Sequence, residues 1–127
     1  MTTIITCYCP VKSSSPGSAY SQHLTYMAEN SNDIPCDVKC PRQLFGYDLR
    51  SLIQSKTDEG HQVIVCGDFN SEYKSLQEWM QSNGCIDLLS TRHGKSPITY
   101  QRSASDPLDS VILLFRLRRV AASALED

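Results

Sequence analysis

Long apolar runs are missing from this chain. The clearest one, Val111 to Phe115, falls far short of the roughly 20 residues that a bilayer helix needs, so no membrane span is expected. An excess of one charge is missing too. A formal net charge of −2 and a pI near 5.9 leave no broad basic footprint. Composition therefore does not point to nucleic acid, and only a local basic site is left open. The opening stretch, Met1 to Pro10, has neither a basic n-region nor a long apolar h-region. The expectation is no signal peptide and an intracellular chain, cytoplasmic or nuclear and not secreted. Of the six cysteines, Cys36 and Cys40 flank Asp37-Val38-Lys39, but no second Cys/His pair has zinc-site spacing. Reduced, non-ligand thiols are expected in that compartment. There is no internal repeat and no linker long enough to divide the chain.

What is present suits one domain: 127 residues, 40% of them hydrophobic. Thr2 to Cys9 is rich in β-branched residues and is stopped by Pro10, which reads as a strand. Lys12 to Gly17 is a loop by composition. Ser18 to Glu29 is expected to be helical, with Tyr20, Leu24, Met27 and Ala28 close to one face. Asn30 to Cys40 is a second loop. Pro41 to Glu59 is the strongest helix. Phe45, Leu49, Leu52 and Ile53 follow helical spacing, Pro41 suits the first turn, and Gly60 suits the position past the end. Gln62 to Cys66 is a buried strand. Ser75 and Glu78 match a capping box, predicting a helix from Leu76 to Asn83 closed by Gly84, with Trp79 and Met80 buried. Ile86, Leu88 and Leu89 form a short apolar patch, one turn of helix or a strand. Ile98 to Arg102 and Asp109 to Phe115 are expected strands separated by a turn at Ser103 to Pro107. Strands alternating with helices give an α/β class.

The strand Gln62 to Cys66 runs into Gly67-Asp68-Phe69-Asn70. A glycine there allows a sharp exit from the strand. In extended chain, Asp68 and Asn70 would point the same way. A carboxylate and a carboxamide would then face one spot at the C-terminal end of a strand, where open α/β sheets place their sites. The carboxylate can hold a water or a hard cation, and the carboxamide can donate to a phosphate oxygen. Gly, Asp and Asn are also ordinary turn residues, so a plain strand-ending turn is the competing reading.

Four stretches in order carry a resemblance: Thr6-Cys7-Tyr8-Cys9-Pro10, Val65-Cys66-Gly67-Asp68-Phe69-Asn70, Ile98-Thr99-Tyr100, and Pro107-Leu108-Asp109-Ser110-Val111-Ile112. Together they are similar to the motifs of the endonuclease/exonuclease/phosphatase superfamily, the DNase I-like or exonuclease III-like group. The texture from Asp87-Leu88-Leu89 through Arg92-His93-Gly94 to Asp109 resembles the nuclease domain of non-LTR retroelement proteins. The match covers about Thr2 to Val111. Such domains are about twice this long. The resemblance therefore implies a partial DNase I-like α/β sandwich, about half of the four-layer fold. It would span residues 1–113, with 114–127 a divergent C-terminal tail.

By resemblance, the chain is a Mg²⁺-dependent (or Mn²⁺-dependent) phosphodiester hydrolase acting on DNA or RNA. Asp68 would position and help deprotonate the attacking water. Asn70 would orient that water or contact the phosphate, and would join Asp68 at the metal. Tyr8 would hydrogen-bond a phosphate oxygen, and Asp109 would orient a catalytic His. The sequence departs from the pattern in three places. The family's metal-binding Glu is not found, no Ser-Asp-His element follows Asp109, and Pro107 stands where Arg is usual. A catalytically inactive remnant and a small binding or scaffold domain are the alternatives. Residue by residue, Tyr8 also reads as a core aromatic and Asp109 as a turn cap. His23, His61 and His93 read as surface residues, and Arg116-Leu117-Arg118-Arg119 as a solvated face. Half of a sandwich exposes an inner sheet face, so self-association is expected unless the C-terminal segment covers it.

Overall fold

A computed structural model describes residues 1–71, 73–94 and 114–116. Its elements are β1 (Thr2–Tyr8), α1 (Ala19–Glu29), a 3-10 turn (Ser31–Asp33), α2 (Pro41–Asp58), β2 (Gln62–Asp68), α3 (Tyr73–Ser82), β3 (Ile86–Asp87), α4 (Leu88–His93) and β4 (Leu114–Arg116). The strands form one sheet in the order β1-β2-β4-β3. β1 and β2 run parallel in a register that pairs Thr2 with Gln62 and Tyr8 with Asp68. β4 is antiparallel to both β2 and β3. The class is α/β. Leu114–Arg116, where the expected strand Asp109 to Phe115 overlaps the expected 114–127 tail, is a strand inside the sheet. The expected strand Ile98 to Arg102, the turn at Ser103 to Pro107, and Asp109 lie outside the described residues.

The parallel pair explains the two helices between its strands, because a parallel return needs a long crossover. Ser18 caps α1 by accepting the N–H of Ser21 at 3.1 Å. Pro41 opens α2, where a missing N–H is harmless, and Gly60 follows the helix end with φ 87°. Strand alternation sends Ile5, Val63 and Val65 to one face. There they pack with Leu49 and Ile53 of α2, Leu76 and Met80 of α3, and Phe69 and Cys85. Thr57 is also buried on this face of α2, and its hydroxyl is satisfied by the Ile53 carbonyl at 2.7 Å. Among the described residues, the opposite face of the sheet is exposed. Ile4, Tyr8 and Ile86 are exposed, Ile4 at 67%.

Several expectations need correction. In α1 only Tyr20 is buried and Leu24 is exposed, because this helix leans on α2 instead of covering the sheet. Leu52 is 42% exposed, and Leu44 is buried in its place. Leu52 faces the outer edge of β1, where it lines a groove of about 280 Å³ with Ile5, Leu44 and Phe45. Helix α3 begins at Tyr73, so Ser75 and Glu78 sit inside it and form no capping box. The apolar patch at Ile86–Leu89 divides between strand β3 and helix α4.

Candidate functional site

The candidate site lies where β1 and β2 end side by side. Register pairs Tyr8 with Asp68 in the same phase as Ile4 with Ile64. Partners in a ladder share a face, so Tyr8 and Asp68 stand together on the open side of the sheet. Tyr8 is 57% exposed and Asp68 is partly buried.

Gly67 is not the turn. It is the sixth residue of the seven-residue strand β2, paired with Cys7. A Cβ on it would run into the Cys7 carbonyl oxygen and stand 2.9 Å from the Cys7 sulfur. Glycine is needed there for close approach between strands.

The chain turns at Asn70, whose φ of 43° is left-handed. The premise that Asp68 and Asn70 align through extended chain is therefore overturned: extension ends at Asp68. Instead the Asn70 backbone N–H donates to Asp68 Oδ1 at 3.0 Å, closing an Asx turn. The Asn70 carboxamide donates to the Cys9 carbonyl at 2.7 Å, and the Cys9 N–H donates to the Asp68 carbonyl at 2.8 Å. Phe69 points inward and meets Phe45 edge to face, with ring centroids 6.2 Å apart.

Sequence reasoning missed Arg42. Its guanidinium leaves the first turn of α2 and donates to the Pro10 carbonyl at 3.0 Å and the Phe69 carbonyl at 3.4 Å. It thus ties both strand exits to one helix. No local pattern announces this, because the acceptors are main-chain atoms 32 and 27 residues away.

The thiols nearby are held protonated. Burial pushes Cys7 up to about 11, with further help from Cys66 and Cys9. Burial also raises Cys9, against the lowering effect of Arg42. All six cysteines are free.

Asp68 Oδ2 and Asn70 Oδ1 accept no hydrogen bond among the described residues. Hard oxygen donors of this kind fit Mg²⁺, which keeps most of its waters and uses one or two carboxylates with substrate phosphate. The donors are few, however. Among the described residues no group of three His, Cys, Asp or Glu side chains could hold a metal ion. His23 lines, together with Tyr8, the groove at the outer edge of β1, whereas His61 lies away from the C-terminal strand ends. His61 is partly buried, and its Nδ1 lies 2.7 Å from the Thr3 hydroxyl at the opposite end of the strands. Asp109 lies outside the described residues.

No protein-family model matches this chain. No curated protein and no solved structure matches it either. Among the described residues, no helix is long and apolar enough to cross a membrane.

Proposed function

We propose that the chain is a partial phosphodiester hydrolase domain of the endonuclease/exonuclease/phosphatase type, with a DNase I-like half-sandwich as its fold and nucleic acid as its substrate. One observation carries this reading: Tyr8 and Asp68 are register partners at the C-terminal ends of adjacent parallel strands, on the face where Ile4 and Tyr8 are exposed among the described residues. Asp68 has one oxygen fixed by the Asn70 N–H, which orients the carboxylate and leaves Oδ2 to accept a proton from a water. Tyr8 presents an exposed phenol that can donate to a phosphate oxygen. Asn70 acts first as the lock of the turn, through its bond to Cys9, and offers only Oδ1 outward. Bound Mg²⁺ would supply charge stabilisation to the phosphate; Asp68 and Asn70 are the residues that would hold it.

The test is metal-dependent nicking of supercoiled plasmid by the purified chain. Asp68→Ala should lower the rate by about 100-fold or more, the range for loss of a general base. Equal nicking by wild type and variant would refute the role of Asp68.

A second reading, a remnant without turnover, is favoured by the donor shortage around Asp68. Loss of one member of a cooperating set removes most of the rate. Under this reading the chain binds a short DNA in the presence of Mg²⁺ and does not cleave it. The open sheet face would serve as the self-association surface in either case.

A further inference from the structure

A second candidate surface runs along the free edge of β1. Two hydrogen bonds fix the phase of this strand. The Gln62 N–H donates to the Met1 carbonyl at 3.0 Å, and the Cys9 N–H donates to the Asp68 carbonyl at 2.8 Å. In a parallel ladder the N–H and C=O of one residue face the same neighbour, so the odd-numbered residues of β1 face β2. The main-chain groups of Thr2, Ile4, Thr6 and Tyr8 therefore face away from β2, and among the described residues β1 is an edge strand. Its seven residues hold an unbroken register and include no charge and no proline. The edge thus lacks the lysine, proline or bulge that turns a further strand away.

Beside this edge lies the groove of about 280 Å³, walled by Ile5 and Cys7 of β1 and by Leu44 and Leu52 of α2. Helix α1 reaches the same groove through His23. Both helices thus extend past β1, and the groove is the space that one more strand would fill beneath them. Its volume falls just below the range of about 300–1,000 Å³ typical of small-molecule pockets, and suits side chains entering from a strand. A whole second copy would bring helices of its own against α1, whereas a single extended segment brings only side chains. Charge narrows the occupant further. Asp48 lines the groove at an exposed position, and no lysine or arginine lines it among the described residues. Among those residues Asp48 also has no ion pair.

We propose that β1 takes up an extended peptide segment of a partner protein as an added strand, with apolar side chains at alternate positions in the groove and a lysine or arginine beside Asp48. The outward main-chain groups of β1 supply the pairing, and the two-residue alternation supplies the selectivity. Neither Asp68 nor Asn70 lines the groove, so peptide binding and phosphodiester hydrolysis stand or fall separately.

The probe is the synthetic peptide Thr-Val-Thr-Leu-Thr-Lys-Thr, blocked at both ends. It is titrated into the full chain at a concentration where the chain sediments as a monomer, and amide hydrogen exchange is followed by nuclear magnetic resonance. Binding should slow exchange at the N–H groups of Ile4, Thr6 and Tyr8. Those of Thr3, Ile5 and Cys7, already turned toward β2, should not change. N-methylation of one alternate set of peptide amides should abolish binding, and methylation of the other set should leave it intact. Replacing the peptide lysine by glutamate should weaken binding by about fivefold, and Asp48→Lys should reverse that preference. Far-ultraviolet circular dichroism checks that the variant is folded. Failure of the peptide to bind overturns the proposal, as does binding indifferent to both methylation patterns. Folded Asp48→Lys with the wild-type preference overturns it too. So does slow exchange at Ile4, Thr6 and Tyr8 in the free monomer, which would mean that the chain covers its own edge.

Discussion

Asn70 reaches across 61 residues of chain to hydrogen-bond Cys9, its carboxamide nitrogen 2.7 Å from the Cys9 carbonyl oxygen. The same residue has left-handed backbone at φ 43°. These two properties can be separated by mutation. Asn70→Gly loses the side-chain bond and keeps the backbone easy, so it should cost about 1 kcal/mol. Asn70→Ala loses the bond and also forces a Cβ into left-handed space, for a total of about 2–3 kcal/mol. Urea denaturation of both variants gives the order. Alanine as stable as glycine would mean that the backbone at this position is not strained.

Gly67 makes a sharper prediction. Its pro-side-chain direction runs into the Cys7 main chain, which is paired in the same ladder and cannot swing aside like the end of a flexible side chain. Gly67→Ala should therefore destabilise by about 3 kcal/mol, at the upper end of overpacking effects, and should loosen the Tyr8–Asp68 pairing one step further along. Thermal unfolding gives the loss. Hydrogen exchange at the Cys9 N–H, which is bonded to Asp68, reads the local effect.

How much of this was legible in the sequence depends on whether the cause was local. Strands β1 and β2 and helix α2 carry their own signals: β-branched runs, Pro41 at the start and Gly60 past the end. The Asp68–Asn70 segment was visible as a motif, but its geometry was not. A left-handed residue at Asn70 leaves the same letters as an extended one, and the partner that fixes it, Cys9, lies just past the end of β1, 61 residues away. The Ser75–Glu78 pattern misled because a capping box is only composition until the helix start is known. Leu24 and Leu52 carry helical periodicity, yet periodicity cannot say where the sheet edge leaves a helix uncovered. The contact between Gly46 and Trp79 likewise exists only once α3 has packed against α2.

The thiol of Cys7 supplies a pH dependence. Its folded pKa is pushed up to about 11 from 9.0, chiefly by burial. The folded chain therefore holds a proton that the unfolded chain releases near pH 9. The corresponding stability is fully present below pH 9 and is lost as pH rises through about 11. Melting temperature should fall across this window in the wild type. The fall should be shallower in Cys7→Ala, with the remaining slope due to Cys9, which burial also raises. At neutral pH the same protonation predicts slow alkylation of Cys7 and Cys9 and fast alkylation of exposed Cys36, read by peptide mass analysis.

The open face of the sheet leads to the last prediction. Ile4 and Ile64 are register partners, Ile64 pairs onward with Phe115, and Phe115 with Ile86. One register row thus crosses all four strands, with Ile4 and Ile86 exposed at its two ends. Among the described residues β1 is one edge strand of the sheet. An apolar row next to an open edge is the arrangement that draws a second chain onto a sheet. Sedimentation velocity should show concentration-dependent association of the wild type. Ile4→Lys should shift it toward monomer, because a lysine in that row would have to be desolvated in the associated state. Its effect on unfolding of the monomer should stay within about 0.5 kcal/mol, since Ile4 is already mostly in water. A wild type that stays monomeric at high concentration, with Ile4→Lys indistinguishable from it, would show that the face needs no partner.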